Sequence, residues 1–445
     1  MRVFLAAAFA ALGLIAAGCG ASVAGVAGSS STGTGAANLV PADASAFAAV
    51  DANLQSTQWQ RLDALTQSFP ARAKLLDRIT HELQKHGLTW KDDVEPALGP
   101  EVDAALLGND DVVFTKPNDK SKLQALAQKL STNDEHYSVE EIGGWSVVAD
   151  AKDVFDRVRA AASGQSLSDS TTFKDAWAQV GGDALVRAYG KGNALAAMSR
   201  VVTPTSGAQW LAARVWADAD ALRLEAVAKP NRAAPATTTQ PLLHDVPSGA
   251  SFALAFHGSA DLARKLSALA PNAAGGRFQL TDFAPLASSD GVAFVRSSGL
   301  LPEIAIELAP KDPQKALAAA RDALRRLGGA LGPVPLTAQL SNGKVVISDG
   351  PAAAAALRSG PKLTSDQAYK DAIRAAGVPA RTTLLAYADV TQLAPFIQVV
   401  SSALAGPSTS ADPTLGENLA HVGTVVAWAT GDGGLARLGA WIKPR

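Results

Sequence analysis

Apolar and polar residues alternate in short runs along most of this chain, and tight-turn signals separate one run from the next. In the segment 137–149, two such runs flank the pair Gly143-Gly144. Further along, Asn342-Gly343 separates two more runs, and Asn-Gly is the strongest two-residue signal for a β-hairpin. Strands joined by such tight turns pair in the antiparallel sense. The pattern therefore predicts antiparallel sheets.

Helical periodicity lies between the hairpins rather than after every strand. The segment 152–162 places Val154 and Val158 on one helix face. Apolar residues at helical spacing also fill 62–83, where Pro70 divides the pattern into two helices. Helices inserted between hairpins are typical of an α+β fold. We therefore expect antiparallel sheets with helices packed on one face.

The chain also repeats itself. The stretch 143–195 returns, changed but legible, at 342–393. A repeat of this length is a copied domain, since solenoid and propeller units are only about 20–50 residues long. The sequence therefore predicts two tandem α+β copies, residues 39–230 and 243–445. Residues 231–242 would be the linker, and the two copies together would form the body of the protein.

The composition agrees with two globular domains. The chain has 445 residues, of which 47% are hydrophobic and 18% are charged. Such values indicate folded domains rather than a disordered chain, and two domains of about 200 residues are of ordinary size. The net charge of −1 argues against a protein that binds nucleic acid.

The N-terminus carries an export signal. Residues 1–18 comprise Met1-Arg2, an apolar run and small residues, and they precede Cys19, the only cysteine of the chain. The apolar run is shorter than the roughly 20 residues of a membrane-spanning helix. The segment looks like a bacterial lipoprotein signal, although such signals usually have Leu where this chain has Ala16. The alternative is an ordinary secretory signal followed by an incidental cysteine.

Acylation of Cys19 would place the protein on a membrane. Residues 19–38 are small and uncharged, which predicts a flexible tether. We expect the protein to be exported and held by acyl chains on Cys19, facing the periplasm or the cell wall. Two or more acyl chains give stable anchoring, whereas one chain gives only marginal binding.

Candidate metal ligands do not form a recognisable site in the sequence. His81 and His86 are five residues apart and would lie on different faces of a helix. Zinc-binding helices instead carry two histidines four residues apart. The acidic residues Asp92, Asp93 and Glu95 are better interpreted as caps of a helix N-terminus than as metal ligands.

Catalytic motifs are matched only by letter. Segments 341–344 and 359–362 fit Ser-x-x-Lys, but the first lies on a predicted turn and no partner motif accompanies it. The glycines in 190–192 and 431–434 lack the further residues of a dinucleotide or phosphate loop. The sequence therefore predicts no catalytic residue, no metal site and no cofactor.

The 8 tryptophans suggest either core packing or stacking on a carbohydrate. Several of them alternate with polar residues in strand-like runs, where packing is the ordinary role of a tryptophan. Trp59 lies between Gln58 and Gln60, so we expect it to be the most exposed one.

Three segments carry a family resemblance. They read VPADASAFAAVD from residue 40, DDVEPALGPEVDAAL from residue 92 and FKDAWAQVGGDALVRAY from residue 173. They resemble the bacterial family called domain of unknown function 3352, over most of residues 39–445. The resemblance implies an envelope protein, often exported, without an assigned activity. It supplies no catalytic residues.

Three hypotheses about function follow. The first is a lipid-anchored, non-enzymatic envelope protein that binds an apolar ligand or an envelope partner. The second is an envelope scaffold or assembly factor that acts through protein contacts alone. The third is an enzyme whose site is assembled from scattered residues. In a duplicated chain, such a site would be marked by polar residues that one half has and the other lacks.

Overall fold

The computed structural model describes residues 35–132, 136–192, 208–231, 239–259, 286–298, 301–327, 336–394 and 417–445. The chain divides into two compact units. The first unit is Met1–Ala233 and the second unit is Ala234–Arg445. Among the described residues, no helix combines the length and apolar character that crossing a lipid bilayer requires.

An antiparallel sheet forms the centre of the first unit. Its described strands are β1 (Ala46–Asp51), β2 (Glu101–Leu107), β3 (Asp110–Thr115), β4 (Ser138–Ile142), β5 (Trp145–Ala149), β6 (Val186–Lys191), β7 (Ala208–Ala217) and β8 (Leu222–Pro230). Their order across the sheet is β8-β7-β6-β1-β2-β3-β5-β4. Every neighbouring pair is antiparallel, which confirms the strand pairing predicted from the turns.

Five longer helices accompany this sheet in the described part of the first unit. They are α1 (Thr57–Thr66), α2 (Pro70–Lys85), α3 (Lys120–Leu130), α4 (Lys152–Ser163) and α5 (Thr171–Ala178). Short helical turns occupy Gly35–Asn38, Trp90–Val94, Glu95–Ala97 and Leu167–Asp169. The predicted division at Pro70 is confirmed. This proline begins α2, where its missing N–H removes no helical hydrogen bond.

The second unit has the same kinds of element. Its described strands are β9 (Ala250–Phe256), β10 (Asp290–Ser298), β11 (Leu301–Ala309), β12 (Thr337–Ser341), β13 (Lys344–Ser348), β14 (Leu384–Asp389), β15 (Val422–Asp432) and β16 (Leu435–Pro444). Its longer described helices are α6 (Pro313–Leu327), α7 (Pro351–Ala356) and α8 (Gln367–Ala376), and short turns of helix lie at Pro241–Asp245, Leu286–Ser288 and Leu363–Ser365. Both units are therefore α+β.

The strand order of the second unit is β16-β15-β14-β9-β10-β11-β13-β12. Counted from the first strand of each unit, this is the order found in the first unit. The strand registers define equivalent positions. Phe47 pairs with Tyr189 in the first unit, and Ala253 pairs with Tyr387 in the second. Two residues, one from each unit, are called equivalent when they lie the same number of strands away from these pairs and the same number of residues along the strand.

The expectation of helices on one face is wrong for the first unit. All six residues of β1 are buried, which requires cover on both faces of the sheet. Val50 packs with Leu62 of α1, whereas Phe47 contacts Phe173 of α5, with ring centroids 5.8 Å apart. Because strand residues three apart point to opposite faces, α1 and α5 cover opposite faces of the sheet.

Helices cover both faces in the second unit as well. Tyr387 contacts Tyr369 of α8, with ring centroids 5.2 Å apart. The strand registers align Tyr387 with Ala305 of β11 on one face. Leu308 lies three residues beyond Ala305 and packs with Leu317 of α6, on the opposite face. The sequence missed this because small residues such as alanine do not show which face of a strand is covered.

Two predicted boundaries need correction. Residues Gly35–Asn38, assigned by sequence to the end of the tether, form a helical turn in which Ala36 and Ala37 are fully buried. The small, uncharged residues had suggested a flexible tether. In the structure, their small side chains instead allow close packing. Similarly, Leu242 at the end of the predicted linker is buried within the turn Pro241–Asp245. Residues 1–34 lie outside the described residues.

The turn predicted at Asn342-Gly343 is confirmed. Both residues have positive φ values, 51° for Asn342 and 74° for Gly343, as a type I′ hairpin turn requires. The turn joins β12 to β13, which pair in the register that places Ser341 opposite Lys344. Here the sequence determined the local structure through two residues.

Candidate functional site

A cluster of three carboxyl groups, two of them buried and one half-buried, lies on one face of the first sheet. Asp51 of β1 is directly opposite Glu101 of β2, and Asp103 follows two residues later on β2. Alternate residues of a strand share a face, so the three side chains point to the same side. Asp51, Glu101 and Asp103 are called the carboxyl cluster. Asp103 is fully buried and Asp51 is 2% exposed.

Asp103 and Glu101 affect each other's ionisation. Burial, followed by the charge of Glu101, raises the pKa of Asp103 well above its usual range. Burial likewise raises the pKa of Glu101 to about 7. Glu101 Oε1 and Asp103 Oδ1 are buried and have no hydrogen-bond partner among the described residues, so ionisation of both carboxyl groups is unfavourable. The pair therefore holds a proton under conditions where exposed carboxyls are ionised.

The turn Gly35–Asn38 covers this pair. The Ala36 backbone N–H donates to Oδ2 of Asp103 at 2.8 Å. A Cβ atom on Gly35 would come within 2.8 Å of Cζ2 of Trp145 and 3.3 Å of Asp103 Oδ2, so only glycine fits there. Lys116 Nζ also lies over the indole, 4.6 Å from the Trp145 ring centroid. The turn can approach the carboxyl pair this closely because Gly35 and Ala36 have no bulky side chains.

Asp51 sits at the end of β1 and anchors the next helix. Ser56 donates its hydroxyl to Asp51 Oδ2 at 2.5 Å, and the Asn53 N–H donates to Oδ1 at 3.0 Å. Trp59 donates its indole N–H to the Asp51 backbone carbonyl at 2.6 Å. Burial raises the pKa of Asp51 to about 6 despite these donors. Ser56 is also the N-cap of α1, so the cluster is tied to that helix.

A cation and a group of aromatic rings border the cluster. Arg187 of β6 pairs with Ala49 and so shares the face of Asp51 and Asp103. Its Nη2 donates to the Trp177 carbonyl at 2.9 Å, and its guanidinium lies 4.1 Å from the Trp177 ring centroid. Burial lowers the pKa of Arg187 to about 10. A buried cation near the carboxyl pair reduces the cost of any negative charge there.

The second unit lacks this cluster. Val292 is equivalent to Asp103, and Leu385 is equivalent to Arg187. His257 and Asp290 stand at the positions equivalent to Asp51 and Glu101, with His257 Nδ1 2.6 Å from Asp290 Oδ1. The buried carboxyl pair is therefore specific to the first unit. It is a polar difference between the two halves, of the kind predicted for a site that only one half has kept.

The innermost carboxyl group of the cluster is closed off from solvent. Asp103 has no exposed surface and accepts the N–H of Ala36 in the turn that covers it. A substrate could reach it only if the turn Gly35–Asn38 moved away. Among the described residues, no group of three or more histidine, cysteine or acidic side chains could hold a metal ion.

A second candidate is the apolar face of the hairpin that closes each unit. In the first unit this face consists of Leu211, Ala213, Val215 and Ala217 on β7 and Leu222, Leu224, Ala226 and Ala228 on β8. In the second unit it consists of Val425, Ala427, Ala429 and Gly431 on β15 and Ala436, Leu438, Ala440 and Ile442 on β16. We call these two surfaces the hairpin faces.

Both hairpin faces expose a leucine at the same place. Leu224 is 37% exposed and pairs with Val215, and Leu438 is 47% exposed and pairs with Ala429. The two leucines are equivalent by the strand registers. In the first unit, α1 covers the end of the face nearest the turn, where Leu222 packs with the core. The part around Leu224 stays accessible to solvent.

The predicted site residues can now be located. Cys19 lies outside the described residues. His81 and His86 are exposed on and beside α2. The capping interpretation of the acidic run is supported, since Asp93 accepts the Thr89 N–H at 2.8 Å. That bond, followed by one from Lys129, lowers the pKa of Asp93.

The expectation for Trp59 is wrong. Trp59 is only 7% exposed, because its indole N–H bonds to the Asp51 carbonyl and its ring packs in the core cluster that contains Val50. The exposed tryptophan is Trp90, at 38%. Flanking glutamines did not indicate exposure, since Gln58 is itself buried and accepts the Ala217 N–H at 2.8 Å.

Residues 4–136 match the model of the family described as "Protein of unknown function (DUF3352)". This N-terminal region belongs to that family. The family prediction is confirmed here, and its extension over the later residues stays a prediction. No curated protein matches the chain.

A solved structure titled "Structure of crystal form III of TP0453" is 7% identical to the chain. It covers 45% of this chain and 81% of its own, with a TM-score of 0.25. A likeness of this size indicates neither a shared fold nor a shared function.

Proposed function

We propose that this protein is an exported, lipid-anchored envelope protein that binds an apolar ligand or an envelope partner and catalyses no reaction. The binding is inferred from the pair of equivalent exposed leucines, Leu224 and Leu438, which lie among the buried and half-buried apolar residues of the hairpin faces. Large apolar side chains that stay open to solvent at matching places can mark a surface that binds a ligand or a protein.

The anchor rests on the sequence before residue 20. An acyl chain on Cys19 would hold the protein at the membrane, and the tether would keep the folded units close to it. Replacing Cys19 with Ser should move the protein from the membrane fraction to the soluble exported fraction. Unchanged retention in the membrane fraction would contradict the lipid anchor.

The non-enzymatic role is supported by the position of the titratable groups. The carboxyl cluster has the strongest raised pKa values, yet Asp103 is covered by Ala36 and offers no surface to a substrate. Perturbed carboxyl groups in active sites normally line an open cleft. The buried pair is better suited to holding the N-terminal turn in place than to chemistry.

The proposal also includes an origin by tandem duplication. The recurrence of 143–195 as 342–393 supports it. Equal strand orders in the two units point the same way, as do the equivalent leucines of the hairpin faces. Under this hypothesis, Asp103 and Val292 diverged after the duplication, whereas the apolar hairpin faces were kept in both copies.

Native mass spectrometry of residues 20–445, exported and purified without detergent, tests the binding. We expect extra mass that is lost on denaturation and extracts into organic solvent. The variants Leu224→Thr and Leu438→Thr should reduce this mass, because threonine keeps the strand but removes apolar surface. The matched controls Lys229→Gln and Lys443→Gln change exposed residues of the same strands.

The outcomes separate the hypotheses. A clean mass without ligand would contradict the binding of a co-purifying apolar ligand. It would favour a scaffold that acts through protein contacts, which crosslinking in the native envelope would then reveal. Bound mass that is unchanged in both leucine variants would place the ligand away from the hairpin faces.

A further inference from the structure

Helix α2 of the first unit differs from its neighbours in its burial. It is 16 residues long, and none of its residues is buried. By contrast, α1, α3, α4 and α5 each bury several side chains in the core. A helix of this length normally gains its stability from burying an apolar face. In α2 that face is only half covered by the protein.

The sequence of α2 is nevertheless amphipathic. Leu75, Leu76, Ile79 and Leu83 recur at helical spacing, and each is half-buried. Leu83 packs against the core cluster of α3, and near the other end Arg72 pairs with Asp63 of α1 at 2.5 Å. The helix is therefore held at both ends, while the apolar residues between them keep part of their surface open.

The polar side of α2 is basic. Residues 70–86 contain four lysine and arginine side chains against two acidic ones, and also two histidines. Lys74, Arg78 and Lys85 lie together on one flank of the apolar stripe, about 60–140° around the helix from Leu75 and Ile79, and all three are exposed. Basic residues beside an apolar stripe are typical of helices that lie in a membrane interface.

An exposed tryptophan follows the helix. Trp90 is 38% exposed and is followed by the exposed Lys91. Indole rings favour the headgroup region of a bilayer, where the apolar ring and the polar N–H are both accommodated. Trp90 and α2 thus offer an apolar stripe, a set of cations and an indole within 21 consecutive residues, 70–90.

The length of the tether allows this surface to meet the membrane. If Cys19 is acylated, as the proposed function assumes, 15 residues lie between it and Gly35, where the described structure starts. A flexible chain of that length has an end-to-end distance of about 22 Å, and its full extension is about 55 Å. A folded unit on such a tether can turn any of its faces toward the bilayer.

We propose that α2 and Trp90 form a second membrane contact, which binds the surface of a bilayer that contains anionic lipids. The partly open stripe around Leu76 and Ile79 meets the acyl boundary. Lys74, Arg78 and Lys85 reach the headgroups along their flexible stems. The acyl anchor keeps the protein at the membrane, and this contact fixes which face of the first unit lies on it.

Vesicle flotation tests the contact without the acyl chain. Residues 20–445, which include every described residue, are mixed with vesicles of phosphatidylcholine alone or with 30% phosphatidylglycerol. We expect binding to the anionic vesicles, weaker binding to the neutral ones, and a loss of binding in high salt. No flotation with anionic vesicles at low salt would overturn the proposal. Because this assay omits Cys19, its failure would leave the lipid anchor and the hairpin faces unaffected.

Charge variants locate the contact. The double variant Lys74→Glu/Lys85→Glu should bind anionic vesicles at least about tenfold more weakly, because each basic residue near an anionic surface contributes substantially. The matched control Lys174→Glu/Lys370→Glu makes the same change of net charge on exposed positions of α5 and α8. An equal loss in both double variants would overturn the assignment to α2.

Fluorescence tests the role of Trp90. The emission of the whole protein minus that of Trp90→Phe reports this indole among the 8 tryptophans. We expect a blue shift with anionic vesicles and quenching by bromine-labelled lipids. Absence of both changes while flotation persists would overturn the membrane contact of Trp90. A protein dimer that Trp90→Phe abolishes, without flotation, would show that a second copy covers this surface instead.

Discussion

The backbone N–H of Ala36 donates a hydrogen bond to the carboxyl group of Asp103 at 2.8 Å, across 67 residues of sequence. Both residues are fully buried. The bond fastens the first described turn of the chain to a carboxyl group that also interacts with Glu101. The end of the predicted tether is thus joined to the centre of the sheet through a titratable pair, which makes its attachment sensitive to pH.

The first prediction concerns pH and stability. Carboxyl groups whose pKa is raised by folding bind more protons in the native state than in the unfolded state. Their contribution to the free energy of unfolding is fully present below their unfolded pKa values near 4. It is lost as the pH rises through the folded-state pKa, which is about 6 for Asp51 and about 7 for Glu101. We therefore expect the free energy of unfolding to be larger at pH 5 than at pH 8, by on the order of 3 kcal/mol.

Denaturant titrations across this pH range measure the effect. The double variant Glu101→Gln/Asp103→Asn should leave only the smaller contribution of Asp51, so the difference between pH 5 and pH 8 should shrink. The charges of Lys116 and Arg187 lower the pKa of Glu101 and so limit the size of this pH-dependent difference. The control Glu95→Gln/Asp175→Asn removes two exposed carboxyl groups and should keep the full difference. An equal pH dependence in both double variants would contradict the assignment.

The second prediction concerns the fit of the cover. A Cβ atom at Gly35 would meet the buried Trp145 ring at 2.8 Å, whereas one at Gly350 would meet nothing within 4 Å. Gly35→Ala should therefore destabilise the protein by about 1–3 kcal/mol through overpacking. Gly350→Ala should have little effect. Limited proteolysis should also cut the Gly35→Ala variant faster near residues 35–38, and equal rates in the two variants would argue against a tight cover.

Much of the fold was predictable because its signals are local. The Asn342-Gly343 turn has the positive φ values that its two residues prefer. Helix α4 spans Lys152–Ser163, close to the segment 152–162 that the apolar spacing predicted. The faces of the sheet were not predictable, because the alanine-rich strand β1 shows no alternation and is buried on both sides. Only contacts between distant residues, such as Phe47 with Phe173, show where the helices lie.

The carboxyl cluster was missed for a related reason. Glu101 and Asp103 alternate with apolar residues on β2, and such alternation normally indicates a solvent-facing side. The register that places Asp51 opposite Glu101 depends on strands 50 residues apart in the sequence, β1 and β2. The one available signal was the comparison of the two halves, in which Val292 replaces Asp103. It required the strand pairing to be known first.

The third prediction concerns a buried hydroxyl group. Tyr189 is fully buried among aromatic rings, and its hydroxyl has no hydrogen-bond partner among the described residues. Burial alone raises its pKa to about 12. Removing an unpaired buried polar group avoids its desolvation cost, so Tyr189→Phe should be neutral or stabilising by up to about 1 kcal/mol. Thermal unfolding measures this, and a clear loss of stability would reveal a partner for the hydroxyl.

The fourth prediction concerns an ion pair of the second unit. The Lys344 ammonium donates a hydrogen bond to Asp245 Oδ2 at 2.7 Å and another to the carboxyl group of Glu307. Glu307 is only 4% exposed. The first unit has Phe114 at the position equivalent to Glu307, so the sheet itself does not require a charge there. Lys344→Met would leave a buried carboxyl group without its cation. We expect a loss of about 2 kcal/mol at pH 8, reduced from the value for fully buried pairs because Lys344 is partly exposed.

A double variant and the pH separate this mechanism from a simple loss of packing. Burial raises the pKa of Glu307, and losing Lys344 would raise it further, so the carboxyl group should take up a proton more readily. The loss in Lys344→Met should then be smaller at pH 5 than at pH 8. In Lys344→Met/Glu307→Leu no buried charge remains, so most of the stability should return at both pH values. If the double variant were as unstable as Lys344→Met, the cost would arise from packing around Lys344 and not from the uncompensated charge of Glu307.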